Sequence, residues 1–235
     1  MNVLYQHIIQ PFQDFIYPPV CLTCEQLRTD RSSKLCSDCW NALTSILSTH
    51  LTWQEISVKF DREGVINDIL SCYLFEKEGK LQEIVHLLKY SGIKSIGVEL
   101  GRVIGRCMMQ ESNFALAEYL IPVPLHRIKQ RERGYNQSEY ICKGISELTK
   151  IPVHTSLLLR KKYTQSQTQL NLEERKQNVG DAFIIEKKFL SEVEGKTFIL
   201  VDDVITTGST INACARELLA HGATRVLTAS AALAQ

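Results

Sequence analysis

The chain has 235 residues, a net charge of +1 at pH 7 and 44% hydrophobic residues. This composition is that of an ordinary globular protein and excludes a polyelectrolyte, and the length suits one sizeable domain with a small module. No apolar run approaches a membrane span, and polar residues interrupt the N-terminal stretch, so we expect no membrane insertion, no secretory leader and a cytoplasmic location.

The N-terminal stretch predicts a short helical arm. Leu4, Ile8, Phe12 and Phe15 recur near helical spacing, but Pro11 should break or kink a helix there. The arm therefore needs another surface to pack on.

Two C-x2-C pairs come next, separated by 11 residues: Cys21, Cys24, Cys36 and Cys39. Each pair forms a knuckle whose thiolates converge, and two knuckles complete a tetrahedral zinc site. Four thiolates leave no open position, so the site is expected to be structural, and the alternative is four unpaired core cysteines. The other cysteines stand singly among apolar residues and are expected to be core packing: Cys72, Cys107, Cys142 and Cys214.

The following region predicts one strand and two amphipathic helices. An apolar run at 70–75 indicates the strand, and apolar stripes at 81–88 and 100–107 indicate the helices. Lys89 and Tyr90 stand where they can border a pocket, but we expect Lys89 to be a solvated residue at a helix end.

A second short strand, at 119–123, is followed by a basic loop and a helix. Arg127, Arg131 and Arg133 fall in this loop region. Arginine offers planar bidentate donors to a multiply charged anion such as pyrophosphate. The alternative is a solvated helix face, and His126 by itself indicates a structural role.

The strongest motif is an apolar run at 198–201 that continues into Asp202 and Asp203, then into a hydroxyl-rich loop around Gly208. It predicts a buried parallel strand, with both acids just past its end, and a helix that begins after the loop. The first turn of a helix has unpaired N–H groups that bind phosphate, and paired acids accept hydrogen bonds from a diol. The pattern therefore suits a ribose 5-phosphate, and the alternative is an ordinary strand–turn–helix with capping hydroxyls.

Residues 198–210 resemble the phosphoribosyl pyrophosphate (PRPP) motif of type I phosphoribosyltransferases. The resemblance implies that Asp202 and Asp203 face the ribose hydroxyls and that the loop wraps the 5-phosphate. Thr206 stands where purine enzymes of this class usually have a carboxylate, which argues against an ordinary oxopurine enzyme.

Further sequence motifs narrow the resemblance to the ComF family of competence-associated proteins. The segment Pro122–His126, the segment Arg131–Gln137 and the N-terminal four-cysteine module are similar to that family. Another motif of the ComF family is matched by Arg160, Gln167, Leu170, Arg175, Asn178, Ala182 and Phe183. The family implies a type I phosphoribosyltransferase-like parallel sheet flanked by helices, behind a small zinc module.

The resemblance also implies the site residues, cofactors and partners. It implies structural Zn²⁺, Mg²⁺ carried with PRPP, a loop over 160–178 that closes on the ligand, and a role in internalising single-stranded DNA beside a helicase-like protein at the uptake machinery. PRPP binding is expected from Val123, Pro124, Leu125, His126, Arg127, Asp202, Asp203, Val204, Ile205, Thr206, Thr207, Gly208, Ser209 and Thr210. Catalytic roles are expected for Asp202, Asp203 and Lys161, and DNA contacts for Arg131, Arg133, Lys161, Lys162 and Arg175.

Charge and domain boundaries complete the prediction. Residues 126–176 carry 11 Lys and Arg against 5 Glu, a local net charge of +6 that suits PRPP alone or also a nucleic-acid backbone. We expect an arm and zinc module at 1–50, a hood at 51–118 and a phosphoribosyltransferase-like core at 119–235. Two functions stay open: a PRPP- or DNA-binding component without turnover, and an active transferase in nucleotide salvage or base modification.

Overall fold

The computed structural model describes residues 10–160 and 182–234, so Lys161, Lys162 and Arg175 lie outside the described residues. The chain divides into two compact units, residues 1–43 and residues 44–235. The three-part division of arm with zinc module, hood and core stays a prediction.

The first unit has little regular structure. Helix α1 spans Gln10–Ile16 and helix α2 spans Ser37–Asn41. Pro11 lies in the first turn of α1, where its missing N–H interrupts no helical hydrogen bond, so it begins this helix rather than breaking it. The described residues of this unit that are buried are Cys21, Leu35, Cys39 and Leu43.

The second unit alternates strands and helices. Its helices are α3 (Leu51–Glu63), α4 (Lys80–Tyr90), α5 (Lys94–Met108), α6 (Arg127–Arg133), α7 (Gln137–Thr149) and α8 (Ser209–Ala220), with 3₁₀ turns at Phe114–Leu116 and Lys187–Glu192. Its strands are β1 (Asp68–Phe75), β2 (Tyr119–Pro122), β3 (Leu158–Arg160), β4 (Phe183–Ile185), β5 (Thr197–Ile205) and β6 (Arg225–Ala234).

The main sheet has the strand order β1-β6-β5-β2, and every neighbouring pair is parallel. This confirms the predicted parallel sheet flanked by helices. Strands β3 and β4 form a separate antiparallel pair. Because all four main strands run in one direction, the loops that follow β2 and β5 meet at one edge, where ligands bind in such sheets.

Helices cover both faces of the sheet. Phe198 and Leu200 of β5 pack in one cluster with Phe60 of α3 and Leu218 of α8. Helices α5 and α7 also contact the strands, and Ile199 of β5 is fully buried between those positions. Burial on both faces explains why β5 is a continuous apolar run rather than an alternating one.

Helices α5 and α7 cross at very close range through glycines. A Cβ on Gly101 would lie 2.1 Å from the carbonyl oxygen of Ile141, and one on Gly144 would lie 2.1 Å from the carbonyl oxygen of Val98. Real Cβ atoms cannot approach that closely, so the crossing requires glycine on both helices. The contact fixes α7, whose first turn lies at the edge of the sheet where the loops after β2 and β5 meet.

Candidate functional site

The acid pair lies inside strand β5, not past its end as the sequence suggested. Asp202 pairs in register with Ser230 of β6, and Val204 pairs with Ala232. The strand continues because β6 runs alongside it to residue 234. The acids also bond to the local backbone: Asp202 Oδ1 accepts from the N–H of Asp203 at 2.9 Å, and Asp203 Oδ1 accepts from the N–H of Val204 at 2.9 Å.

Asp203 forms a short ion pair with Lys89. The Nζ of Lys89 lies 2.6 Å from Oδ2 of Asp203, and the two side chains are 22% and 5% exposed. The expectation of a solvated Lys89 is therefore wrong: α4 ends beside the sheet edge and directs this lysine onto the acid pair. A buried carboxylate needs such a partner, because an unpaired charge in an apolar surrounding is costly.

Asp202 has a different environment. Its Oδ1 accepts a hydrogen bond from the hydroxyl of Ser138, at 3.1 Å, from the first turn of α7. Burial, with the neighbouring charge of Asp203 as a second cause, raises the pKa of Asp202 from 3.8 to about 7. Two adjacent carboxyls thus differ: Asp203 is held by a cation, while Asp202 gains or loses its proton near neutral pH.

The loop from Thr206 to Ser209 begins helix α8 and faces solvent. Gly208 has φ +75°, and a Cβ there would lie 2.6 Å from Cε1 of Phe60, so glycine is required twice over. The hydroxyls of Thr207 and Ser209 lie 2.9 Å apart, and Thr206 is exposed. Since the first N–H groups of a helix have no helical partner, the loop presents donors to an anion.

The 123–127 loop lies at the carboxyl end of β2, next to β5. The N–H of Val123 donates to the carbonyl of Val201 at 2.9 Å, and Asn136 Nδ2 donates to the carbonyl of Val123 at 3.0 Å. His126 caps α6, with its Nδ1 accepting from the N–H of Ile128 at 3.4 Å, while Arg127 is exposed. The two predicted ligand loops therefore flank one edge, with β5 and β2 adjacent.

Arg131 and Arg133 lie in the last turn of α6 rather than in the predicted loop, and this end of the helix makes structural contacts. Arg133 donates to Gln137 at 3.0 Å, and its guanidinium lies 5.4 Å from the ring centre of Tyr90. The Tyr135 hydroxyl donates to the carbonyl of Leu88. Together these contacts fix the end of α4, and with it Lys89, while Arg131 is exposed.

A cavity of about 500 Å³ adjoins the 123–127 loop. Arg160, at the end of β3, has a buried Nε without a hydrogen-bond partner among the described residues, and its guanidinium lies 5.4 Å from the ring centre of Phe183. Burial raises the pKa of Glu139 in the same cavity. The lining residues are Pro122, Pro124, Leu125, Arg127, Gln130, Asn136, Glu139, Thr155, Leu158, Leu159, Arg160 and Ile184.

The four cysteines of the first unit converge, as predicted. Their sulfurs all lie within 4.8 Å of one another, and they are the only such cluster of metal-ligating side chains in residues 10–160 and 182–234. The N–H of Cys36 donates to the sulfur of Cys21 at 3.3 Å, and the hydroxyl of Thr23 donates to that of Cys39 at 2.9 Å. Converging thiols that accept hydrogen bonds fit a tetrahedral zinc site.

Three side chains of the candidate site were not predicted from the sequence. Lys89 was expected to be solvated, Ser138 was given no role, and Arg160 was only one position of a pattern. No local signal identifies them: Ser138 and Asp202 are 64 residues apart in the chain.

Comparison with known families supports the two-unit architecture. A family model for the phosphoribosyl transferase domain matches residues 145–234, and one for the double zinc ribbon domain matches residues 12–51. The chain thus combines a phosphoribosyltransferase-type α/β core with an N-terminal zinc ribbon.

The relatives that this chain matches include proteins named for DNA utilization and for competence. DNA utilization protein YhgH of Shigella flexneri is 32% identical over 149 residues, which cover 62% of this chain and 64% of that protein. Competence protein F of Haemophilus influenzae is 40% identical over 97 residues (41% of this chain and 42% of that protein), and competence protein ComFC of Bacillus subtilis is 31% identical over 103 residues (44% and 39%). The chain is homologous to these proteins and fits the ComF family, as predicted. The matched regions span less than two thirds of each relative.

A solved structure of glutamine PRPP amidotransferase from B. subtilis, complexed with ADP and GMP, aligns with 57% of this chain and 26% of its own, at 25% identity and a TM-score of 0.40. In the described part of this chain, no helix has both the length and the apolar character that crossing a membrane requires.

Proposed function

We propose that the chain binds PRPP at the carboxyl edge of the parallel sheet. The observation that carries the proposal is the placement of the acid pair on β5 directly before the solvent-facing loop that begins α8. The 5-phosphate would bind the N–H groups and hydroxyls of residues 206–210, and the ribose hydroxyls would donate to the carboxyls of Asp202 and Asp203.

The pyrophosphate end would lie toward the 123–127 loop. That loop is adjacent because β2 pairs with β5, and Arg127 and Arg160 line the cavity beside it. Arginine suits this role, since each guanidinium can donate two parallel hydrogen bonds to phosphate oxygens. Lys161 directly follows Arg160 in the chain, which supports its proposed contact with departing pyrophosphate.

Lys89 belongs to the proposed site as a positioning residue. Its ammonium holds the Asp203 carboxyl in one place, at an Nζ–Oδ2 distance of 2.6 Å. It also offsets one negative charge at an edge that must accept a polyanion. The contacts from Tyr135 to Leu88 and from Arg133 to Tyr90 hold this part of α4 in position.

Magnesium fits the proposal as a companion of the ligand. The described residues offer two adjacent carboxyls here, one already paired with Lys89, and no larger group of oxygen ligands. Mg²⁺ usually keeps waters and binds substrate phosphates rather than an all-protein cage. When bound, it would neutralise charge on the pyrophosphate, while Asp202 and Asp203 orient the ribose.

The biological role we propose is that of a ComF-type protein in the uptake of single-stranded DNA, in the cytoplasm at the uptake machinery and beside a helicase-like partner. The names of the relatives, competence proteins and DNA utilization proteins, support this role. Arg131 is exposed and can contact a DNA phosphate. Arg133 is held by Gln137 and Tyr90, so we expect a weaker contribution from it.

A second candidate is an active phosphoribosyltransferase with an acceptor in salvage or base modification. The cavity of about 500 Å³ favours it, because that volume admits a small molecule beside the proposed pyrophosphate loop. In this function Asp202, Asp203 and Lys161 would act at the reacting ribose. Release of pyrophosphate that depends on an added nucleobase would distinguish this candidate from a binding protein.

Calorimetric titration with PRPP and Mg²⁺ tests the proposal. The wild type should bind, and the variant Asp202→Ala/Asp203→Ala should not, because the ribose loses both acceptors. Asp61→Ala, an exposed carboxylate of α3, is the control and should bind as the wild type does. If a folded, zinc-loaded wild type gives no heat with PRPP, the proposal is wrong.

A further inference from the structure

Two cysteines outside the zinc cluster and the ligand edge lie in contact with each other. Cys72 is on β1 and Cys107 is the penultimate residue of α5, and their sulfurs are 3.5 Å apart. Cys72 is buried and Cys107 is half-buried, so Cys107 is the more accessible residue of the pair. The sequence suggested only core packing for both.

The environment of the pair divides the two thiols into a donor and a nucleophile. The hydrogen bond from the Cys72 thiol, helped by the charge of Arg106 and opposed by burial and by Glu111, lowers the pKa of Cys107 from 9.0 to about 7. The same contact, with burial, raises the pKa of Cys72 well above its usual value. Cys107 is therefore substantially a thiolate at neutral pH, which is the reactive form.

The remaining core cysteines show what an inert thiol looks like in this protein. Cys142 and Cys214 are fully buried, and within the described residues neither is hydrogen-bonded to another sulfur, unlike Cys72 and Cys107. Burial raises the pKa of both well above the usual value. The proximity of Cys72 and Cys107 therefore sets this pair apart from ordinary packing.

We propose that Cys72 and Cys107 form a reversible redox site, at which a hydroperoxide converts the two thiols into an intramolecular disulfide. The Cys107 thiolate attacks the peroxide oxygen, which gives a sulfenic acid and, after protonation, an alcohol. The Cys72 sulfur then attacks the Cys107 sulfur and expels the hydroxyl group as water, which takes up the Cys72 proton. Overall, two thiols and one hydroperoxide give one disulfide, one alcohol and one water.

The geometry allows this bond with a small movement. A disulfide needs sulfurs about 2.0 Å apart, so the two must approach by about 1.5 Å. Strand β1 is the outer strand of the main sheet: β6 pairs with it on one side, and Ser45 forms an isolated antiparallel bridge with Tyr73. Cys107 lies in the last turn of α5, where a helix yields most easily. Cys72 lies inside β1, where its carbonyl accepts from the N–H of Ile46 at 3.1 Å, so the movement falls to Cys107.

The test is peptide mapping of the full zinc-loaded chain after treatment with tert-butyl hydroperoxide. We expect a linked Cys72–Cys107 peptide that dithiothreitol reverses, while Cys142 and Cys214 stay reduced as internal controls. In Cys72→Ser, Cys107 should instead accumulate as a sulfenic acid that dimedone traps, because the resolving thiol is gone. The wild-type mapping needs no variant, so an unfolded Cys72→Ser would leave the test intact.

A second measurement follows the alkylation rate of Cys107 against pH. In the wild type the rate should rise through about pH 7, since Cys72 and Arg106 favour the thiolate against burial and Glu111, while the nearby Tyr73 is neutral in this range. Absence of the linked peptide would overturn the proposal. An alkylation midpoint near 9.0, the ordinary thiol value, would overturn it as well.

Discussion

The two units of the chain are stabilised in opposite ways. In residues 10–43 the buried side chains are two cysteines and two leucines, while Phe12, Phe15 and Tyr17 are exposed. In the second unit, apolar side chains from both faces of a parallel sheet are almost completely buried. The first unit needs a metal to hold its chain together, and the second holds itself by packing, so each should fail under a different challenge.

Removal of zinc should affect the stability of the two units most differently. A chelator, or Cys21→Ser, should unfold residues 10–43, because binding of a structural zinc is worth on the order of 10 kcal/mol and little apolar burial replaces it. Hydrogen exchange should show loss of protection there and unchanged protection in the core. Cys107→Ser is the control and should retain zinc. Full protection of the first unit after zinc removal would contradict this comparison.

A methyl group between α5 and α7 should damage the core instead. Gly101→Ala places its Cβ 2.1 Å from the carbonyl oxygen of Ile141, and the helices must move apart. We expect a loss of about 3 kcal/mol in the free energy of unfolding, measured in urea.

Gly105→Ala is the matched control, because its nearest neighbours lie at 3.4 Å. It should be neutral or stabilising by up to about 1 kcal/mol, since alanine favours the helix. Equal urea midpoints for the two variants would show that the crossing is not tight.

Asp202 should make the stability of the core depend on pH. Its pKa rises from 3.8 to about 7 on folding. Its contribution to the free energy of unfolding is therefore fully present below pH 3.8 and is lost as the pH rises through about 7. Asp202→Asn, which stays neutral, should therefore be more stable than the wild type at pH 8, by on the order of 2 kcal/mol.

The difference in unfolding free energy between Asp202→Asn and the wild type should shrink steadily in unfolding curves taken from pH 8 toward pH 4. Asp61→Asn, an exposed carboxylate of α3, should leave the pH profile unchanged. A wild type that gains stability over Asp202→Asn as the pH rises would show that the carboxyl is not in a desolvated site.

Lys89 links the packing of the core to the proposed ligand. Lys89→Met should weaken PRPP binding about tenfold, equivalent to about 1.4 kcal/mol, because Asp203 loses its cation and the ligand edge becomes more negative. Lys89→Arg should restore much of the affinity by keeping the charge. Lys80→Met, at the other end of the same helix, is the control. If calorimetry gave equal PRPP affinities for Lys89→Met and Lys80→Met, Lys89 would have no role in binding.

The sequence predicted the architecture well because its signals are local. Apolar runs marked β1, β2 and β5, and two C-x2-C pairs marked the cysteine cluster. The runs are visible because strands buried on both faces must be apolar throughout. The strand containing the acids was underestimated, because charged residues normally end such a run.

The interactions that position the site were not predictable from one sequence. The Lys89–Asp203 pair, the Ser138–Asp202 bond and the Gly101–Gly144 crossing each join distant parts of the chain. The segment at 131–138 was predicted from its cations to bind anions. The structure shows that Arg133 and Tyr135 also fix α4, a role that depends on what α4 places opposite them.

The most direct test of the central claim is an NMR titration of the full, zinc-loaded chain with ribose 5-phosphate. Ribose 5-phosphate isolates the part of PRPP that the acid pair and the α8 loop should hold. We expect the backbone amide signals of Thr207, Gly208, Ser209 and Thr210 to shift first and most. Shifts confined to other parts of the chain, or none at millimolar ligand, would contradict it.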